Sequence, residues 1–230
     1  MAAGSLSNPA PMKAQAREFC METPSEPSAL APTGSPGLRL VPVLAGSPRR
    51  TVEAYIQRRF SEQHAARVTH FMPNLLGLQA EDGVLHGAVG LRGAGEGALF
   101  LEQYLDGPIE QAIRPLFGPG VVRDEIVEVG NLAADGRGTA RRLIVELSGW
   151  LSHGGFRWVA FTGTPALLNS FQRLGLPLTR IASADPARVG AQRSAWGRYY
   201  DLRPQVMVGE IPVGCRVLAA LAGGDRDAVR

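Results

Sequence analysis

The segment EIVEVGNLAADGRGTARRLIVELSGW, residues 125–150, joins an apolar strand to a helix through a short glycine loop. The helix after the loop repeats apolar or small residues with a period close to 3.6, which predicts that one face packs on a sheet. These residues are Ala140, Leu143, Ile144, Leu147, Trp150, Leu151 and Gly154. A strand, a tight loop and an amphipathic helix in this order predict a βα unit.

The loop, Asp135 to Gly138, has two glycines close to the first turn of the helix. Glycine lets a backbone approach a ligand closely, and unpaired N–H groups at a helix N-terminus attract anions. Two nucleotide-binding patterns are excluded, because Arg141 stands at the third glycine position of GxGxxG and no GK[ST] triplet follows. Two hypotheses remain from these residues alone: an anion site, or glycines that only tighten the corner.

The chain before this segment predicts a strand, a helix and then further strands. GLRLVPVL, residues 37–44, is typical of a strand, and TVEAYIQRRFSEQHAARV predicts a helix with Thr51 as N-cap. The buried face of that helix is predicted to comprise Val52, Tyr55, Ile56 and Phe60. Residues 74–105, which end in LFLEQYL, predict successive strands with turns at 81–83 and 93–97.

Shorter elements are predicted on either side of the glycine loop. DGPIEQAIRPLFG predicts a helix capped by Asp106 or Gly107, with Pro108 in its first turn. FRWVAFTGT predicts a strand, and PALLNSFQRLG predicts a helix that Gly175 ends. LPLTRIA and QVMVGEI predict the last strands. The order predicts an α/β (α+β) fold, with a mixed, mostly antiparallel sheet and a central parallel crossover flanked by helices.

Composition places the chain among globular proteins with one sizeable domain. Residues 1–36 are rich in Pro, Ser, Ala and Gly, which predicts a disordered N-terminal tail. The folded domain is predicted to span residues 37–212, and residues 213–230 are predicted to form a C-terminal tail. Apolar residues make up 45% of the chain, but no run approaches the ~20 residues of a membrane span. Because no signal-peptide core is seen either, we expect a cytoplasmic protein.

Charge and potential ligand residues exclude several classes of partner. The net charge of +3 comes from scattered arginines, so no nucleic-acid surface is predicted. Cys20 and Cys215 form neither a disulfide framework nor a CxxC motif. The four histidines, His64, His70, His86 and His153, lack metal-ligand spacing, so no metal is expected. Without a GxSxG elbow, an acyl-enzyme is not expected either.

The succession of strand, glycine loop, helix, the strand WVAFTGT and a helix ending in FQRLGL resembles the GNAT superfamily of acyl-CoA-dependent N-acyltransferases. In that family a loop of pattern [Q/R]xxGx[G/A] binds the pantetheine pyrophosphate. Gly136 and Gly138 match its glycines, whereas Ala133 replaces the expected Gln or Arg. The closing helix of the family commonly carries a tyrosine as general acid, and Phe171 stands at that place.

Several motifs of the chain resemble particular families related to this superfamily. EVGNLA on the central strand is similar to acyl-homoserine-lactone synthases and N-acyl amino acid synthases, which take long acyl groups from acyl-carrier protein or acyl-CoA. THFMPNLLGL, LFLEQYLDGPIE, EIVEVGNLA, RRLI, WVAFTGT and WGRYYD, in that order, resemble the family named thermostable hemolysin. This resemblance covers residues 55–211. The name of the family implies lysis of red cells, and its fold implies acyl transfer.

In such a reaction the amine attacks the thioester directly, so the protein must remove a proton from the ammonium and stabilise an oxyanion. Glu128 is the predicted base, because burial in an apolar strand raises the pKa of a carboxyl group. The alternative is a buried glutamate paired with Arg92, Arg123 or Arg141. Asn131 is predicted to hold a bulge open or bind substrate; capping the following loop is the alternative.

Other residues are given candidate roles in the site from their positions in the sequence. Strand alternation would point Glu102 toward the same cleft as Glu128, although an exposed glutamate is the alternative. Arg142 is predicted to pair with phosphate or lie on a solvated helix face. An acyl or acceptor pocket is predicted from Phe71, Tyr104, Phe171 and Tyr200, and the alternative is plain packing. The resemblance implies that the acyl carrier contacts Val129, Leu132, Ala133, Asp135, Gly136, Arg137, Gly138, Thr139 and Arg141.

The predicted function is transfer of a medium or long acyl group from acyl-CoA or acyl-carrier protein to the amine of a small molecule such as an amino acid. The co-substrate would be a phosphopantetheine thioester, and acyl-carrier protein would be a partner. Two alternatives from other classes stay open: a membrane-lytic hemolysin, and a GNAT-like protein that binds acyl-carrier protein without catalysis.

Overall fold

The computed structural model describes residues 37–227, and these include one seven-stranded sheet. The strands are β1 Arg39–Pro42, β2 Asn74–Gln79, β3 Leu85–Gly93, β4 Ile126–Ala134, β5 Trp158–Gly163, β6 Thr179–Ser183 and β7 Gln205–Glu210. Their order across the sheet is β1-β2-β3-β4-β5-β7-β6, and every neighbouring pair is antiparallel except β4 and β5. The predicted mixed, mostly antiparallel α/β fold with a central parallel crossover is therefore confirmed.

Helices cover both faces of this sheet. They are α1 Ser47–His64, α2 Ile109–Phe117, α3 Arg137–His153, α4 Pro165–Arg173 and α5 Ile211–Asp227. Alternation along β3 separates the faces, since Ala88 packs with Val52 and Ile56 of α1. A Cβ atom at the preceding residue, Gly87, would instead lie 3.5 Å from Leu143 of α3.

The core of the α2 face joins the sheet to α2 and to short 3₁₀ turns. It contains Ile126 of β4, Trp158 and Ala160 of β5, and Ile109 and Ile113 of α2. None of these five side chains is more than 2% exposed. The same cluster includes residues of an irregular segment, Pro186–Trp196, whose 3₁₀ turns are interrupted by a non-helical glycine. This segment was not anticipated from the sequence.

Predicted element boundaries differ from the structure at two helix starts. Helix α1 begins at Ser47, so Thr51 lies inside it, and the Thr51 hydroxyl donates back to the Ser47 carbonyl at 3.2 Å. The predicted N-cap at Thr51 is therefore wrong. Helix α2 begins at Ile109 with Pro108 as its N-cap, rather than Asp106 or Gly107.

The predicted strand LFLEQYL is also wrong, because Phe100–Tyr104 form a 3₁₀ helix. The first amides of this helix donate to the carboxylates of Glu102 and Glu128 rather than to a neighbouring strand. Since these acceptors satisfy the backbone, the alternating apolar residues of the segment can be buried without joining the sheet.

The C-terminal region contains a helix where a tail was predicted to begin at residue 213. Helix α5 runs from Ile211 to Asp227, and the Cys215 thiol donates to the Ser148 carbonyl of α3 at 3.4 Å. The segment IPVGCRVLAALAG has enough apolar residues to pack on α3, which explains why it folds. The predicted disorder of residues 1–36 lies outside the described residues. Within residues 37–227, no helix is long and apolar enough to cross a membrane.

Candidate active site

The sheet opens at its centre, where β4 and β5 stop pairing. Parallel register joins Ile126–Val129 of β4 to Trp158–Phe161 of β5, although β4 continues to Ala134. At the same level, the β3–β4 register shifts so that Asn131 and Leu132 lie opposite one residue of β3. This is a β-bulge, which bends its strand and ends regular pairing. The backbone of Asn131 has a φ of 52°, a left-handed conformation that asparagine tolerates better than most residues.

A cavity of about 630 Å³ lies at this opening and is lined from both faces of the sheet. On the α3 face its lining is mainly apolar, with Ala140, Ile144, Leu147, Leu151, Val159, Phe161, Leu167 and Phe171. On the opposite face it is mixed polar and aromatic, with His64, Arg92, Phe100, Tyr104, Glu128, Trp196 and Tyr199. The two parts are called below the apolar arm and the polar arm.

Glu128 lines the polar arm and is buried, with 3% of its surface exposed. Its carboxylate accepts hydrogen bonds from the N–H groups of Phe100 and Leu101, at 2.7 and 2.9 Å. Burial raises the pKa of this carboxyl group to about 7, against the opposing effect of those two amides and of Arg92. Among the described residues, no arginine nitrogen lies within ion-pair distance of it. The alternative of a buried Glu128–arginine pair is therefore wrong.

Glu102 does not reach the cavity, so the prediction that it shares the cleft with Glu128 is wrong. Its carboxylate accepts from the N–H groups of Leu99 and Ile109, both at 2.8 Å, and pairs with Arg123 at 2.6 Å. Although burial alone would raise it, the bonds from Arg123 and the two amides hold the pKa of Glu102 below its ordinary value. Glu102 therefore stabilises the 3₁₀ helix and the start of α2.

Asn131 lines the cavity and ties the bulge to the loop before β2. Its side-chain oxygen accepts from the Met72 N–H at 2.8 Å, and its amide group lies 3.5 Å from the His70 carbonyl. Met72 in turn covers the two glycines that face each other across β3 and β4, since a Cβ atom on either Gly90 or Gly130 would lie 2.6 Å from its side chain. Asn131 thus holds the bulge, and its side chain does not cap the glycine loop.

The N-terminus of α3 is open toward the cavity. Gly136 is its N-cap, no side chain hydrogen-bonds to the cap, and its first turn has no acidic residue. Apart from adjacent residues and the backbone of the helix itself, nothing in the described chain lies within 4 Å of the Cβ positions of Gly136 or Gly138. Arg137 is exposed in this first turn, where a positive charge is unfavourable next to the helix dipole unless an anion is bound, and Arg141 is exposed one turn further along the helix.

The predicted carrier contacts divide into two groups. Val129, Leu132, Gly136 and Arg137 line the cavity. Ala133, Asp135, Gly138, Thr139 and Arg141 are not among its lining residues within the described chain. Asp135 faces α1 instead, accepting from the Tyr55 hydroxyl at 2.7 Å and contacting the His86 ring at 3.1 Å. Arg142 forms an ion pair with Glu146 at 2.7 Å.

Three of the four predicted pocket residues, Phe71, Tyr104 and Phe171, line the cavity. Tyr200 lies behind it, and its hydroxyl is 2.6 Å from that of Tyr104. Burial, together with this bond, raises the pKa of Tyr104 far above its ordinary value. Tyr199, the neighbour of Tyr200, lines the cavity and was not predicted.

Sequence reasoning also missed His64 and Trp196 and gave Arg92 a different role. The Trp196 ring contacts Phe100 and Tyr199, with centroids 5.8 and 5.3 Å apart, and the rings of His64 and Tyr199 meet edge to face. Burial lowers the pKa of His64, assisted by the charge of Arg198. The motif WGRYYD, which includes Trp196 and Tyr199, was a sequence signal for this wall. Residues 37–227 contain no group of three His, Cys, Asp or Glu that could hold a metal ion.

Solved structures with the same fold show where this architecture recurs. TofI in an apo form superposes with a TM-score of 0.54 at 15% identity, over 79% of this chain and 96% of that chain. FeeM, an N-acyl amino acid synthase from uncultured soil microbes, has a TM-score of 0.53 at 16% identity, over 76% and 92%. BjaI, a CoA-dependent acyl-homoserine lactone synthase with MTA, has a TM-score of 0.51 at 14% identity, over 81% and 90%. These similarities show that the chain shares the fold of these three proteins.

A comparison with curated proteins found no match. The family described as Thermostable hemolysin matches residues 45–215, which include every strand from β2 to β7 and helices α1 to α4. The match covers most of the chain, including all the cavity-lining residues discussed above. The chain therefore belongs to the thermostable hemolysin family.

Proposed function

We propose that the chain is an N-acyltransferase that moves a medium or long acyl group from acyl-CoA or acyl-carrier protein to the amine of a small molecule such as an amino acid. One observation carries the proposal. A single cavity at the opening between β4 and β5 is lined by the uncapped N-terminus of α3 and by buried Glu128. Direct acyl transfer needs both a site for the acyl carrier and a group that accepts a proton from the amine.

The donor is assigned to the side of the cavity that contains the α3 N-terminus. A phosphate there would accept hydrogen bonds from N–H groups of the first turn and would be attracted by the charge of Arg137. Each of these interactions contributes about 0.3–1 kcal/mol near the surface. The apolar arm, walled by Leu147, Leu151 and Phe161, offers an acyl chain a mainly apolar surface. Burial of each CH₂ group there would contribute about 0.8 kcal/mol, which favours longer chains.

The acceptor is assigned to the polar arm, where Glu128 accepts a proton from the ammonium group. The neutral amine then attacks the thioester carbonyl carbon, a C–N bond forms and the C–S bond breaks. The sulfur leaves as thiolate and takes up the second proton that the attacking nitrogen loses, so the products are an amide and a free thiol, with the ammonium proton on Glu128. Backbone N–H groups near Val129 to Leu132, where β4 has left β5, are the proposed donors to the oxyanion. A carboxyl pKa of about 7 suits a base that works near neutral pH.

The test is turnover by the purified full-length chain. Acyl-CoA and acyl-carrier protein of increasing acyl length are each offered with a panel of amines and amino acids. Thiol release is measured together with the mass of the product. An N-acyl product that requires both substrates supports the proposal. If a donor raises the melting temperature but no acceptor is acylated, the chain is a carrier-binding protein, and acyl transfer is excluded.

A further inference from the structure

Arg92 and Glu128 stand opposite each other across the β3–β4 ladder. They are register partners, so their side chains lie on the same face of the sheet. Directly opposed residues in antiparallel strands have Cβ atoms about 4.5–5.5 Å apart. Both side chains line the polar arm of the cavity. One positive and one negative group are therefore presented side by side to whatever occupies that arm.

Most of the hydrogen-bonding capacity of Arg92 is unused by the protein. Its guanidinium carries five N–H donors, and within residues 37–227 its one hydrogen-bond acceptor is the Ala98 carbonyl, at 3.0 Å. No carboxylate of the described chain lies within 4.0 Å of it. The side chain is half-buried and lines the cavity, so its unused donors are within reach of a molecule bound there.

Arg123, an arginine with a structural role, contrasts with Arg92 in the number of hydrogen bonds that it makes to the protein. Arg123 donates to two backbone carbonyls, those of Ala94 and Gly97, and to the carboxylates of Glu102 and Glu110. Its whole guanidinium is engaged in holding the segment around the 3₁₀ helix. Arg92 touches the same segment with one bond only, and structural need therefore does not account for its remaining donors.

We propose that Arg92 binds the carboxylate of the acceptor, and that the acceptor is an α-amino acid. The proposal rests on the proposed acyl transfer and names its second substrate class. A zwitterion places an ammonium and a carboxylate on one carbon atom, which matches the neighbouring Glu128 and Arg92. A guanidinium binds a carboxylate with two parallel hydrogen bonds, which fixes the orientation of the amine.

The same arm has room for an apolar side chain. Phe100, Trp196 and Tyr199 form an aromatic wall along it. Aromatic surface of this kind stabilises aliphatic or aromatic side chains by burial. In the proposed orientation, Glu128 accepts the ammonium proton while the carboxylate stays on Arg92 throughout. The product is an N-acyl amino acid and the free thiol of the carrier, and no further reactant is required.

The experiment compares acceptors that differ only in the carboxylate. Leucine with leucinamide, and phenylalanine with phenylalaninamide, are acylated by the wild-type chain and by Arg92→Gln at a fixed, saturating donor. We expect kcat/KM for the amino acids to fall about 10- to 100-fold in Arg92→Gln, mainly through KM, because a charge-assisted bond is lost. The amides should change by no more than about twofold. Arg92→Lys, which keeps the charge without the fork, should be intermediate.

Equal losses for amino acids and amides would overturn the proposal, since Arg92 would then act only on the fold or the donor. The melting temperature and the CoA-induced shift in it are measured for each variant to detect those two cases. Arg137→Gln is the reciprocal control, expected to weaken donor binding equally for every acceptor.

Failure of the proposed function has a separate signature, which is no acyl transfer by the wild-type chain to any acceptor. Calorimetric titration then replaces turnover, with N-acyl-leucine and N-acyl-leucinamide as probes. Tighter binding of the acid, lost in Arg92→Gln, supports the carboxylate site even without turnover. Equal binding of the two probes by the wild-type chain overturns it.

Discussion

Two glutamates, Glu102 and Glu128, accept hydrogen bonds at the N-terminus of one 3₁₀ helix, but their surroundings are opposite. Glu102 is paired with Arg123, which holds its pKa low and keeps it charged. Glu128 accepts hydrogen bonds from only two backbone amides, and burial raises its pKa to about 7. Of these two glutamates, Glu128 lines the cavity and Glu102 does not. The comparison teaches that a capping position by itself does not set the pKa of a carboxyl group, because burial and charge compensation differ between the two sites.

The largest expected effect is the loss of activity in Glu128→Gln. A glutamine cannot accept the ammonium proton, so kcat should fall about 10²- to 10⁴-fold, the usual contribution of a general base. The donor-induced rise in melting temperature should persist, because the α3 N-terminus is untouched. Steady-state rates with saturating substrates and a thermal shift titration measure the two quantities. Near-normal kcat in this variant would show that Glu128 has a structural role like that of Glu102 and is not the base.

The second prediction uses pH to separate the two carboxylates. The folded pKa of Glu128 lies above its unfolded value, so its contribution to stability is full below about 4.5 and is lost as pH rises through about 7. The size is up to about 3 kcal/mol, by the linkage between pKa shift and stability. The pKa of Glu102 is lowered, so its contribution is present above the unfolded value and is lost as pH falls through its folded pKa.

Urea unfolding of the wild-type chain and Glu128→Gln between pH 4.5 and 8 measures this difference. The free energy of unfolding of the wild type, relative to the variant, should decrease across that interval. Activity of the wild type should rise over the same range as Glu128 loses its proton. A difference in stability that does not change with pH would show that Glu128 has an ordinary pKa.

The smallest of these effects is expected in Glu102→Gln. This change removes the charge opposite Arg123 while keeping one acceptor for the backbone amides, and should lower the free energy of unfolding by about 1–3 kcal/mol. Its kcat should stay within about tenfold of the wild-type value, because Glu102 is not in the cavity. Denaturant unfolding and steady-state kinetics on one preparation test both parts. A larger loss of kcat than in Glu128→Gln would reverse the comparison between the two residues.

Local patterns predicted the part of the molecule where periodicity is strong. The apolar period after the glycine loop predicted α3, and its residues Leu143, Ile144, Leu147 and Leu151 are buried. The alternation in LFLEQYL predicted a strand in the same way, but it is a 3₁₀ helix. The pattern failed there because the amides of Phe100 and Leu101 donate to the carboxylate of Glu128, which lies 28 and 27 residues away in the sequence. No local propensity contains that information.

The sequence by itself determined the fold class, the family, the glycine loop before α3 and the place of Glu128 in an apolar strand, since each depends on neighbouring residues or on ordered motifs. Only the tertiary structure decided which of these groups meet. Strand register placed Arg92 beside Glu128, the bulge at Asn131 opened the sheet, and Glu102 was turned away to Arg123. The physical reason is that register, bulges and ion pairs arise between segments far apart in the chain, so their energies appear only after the chain has folded.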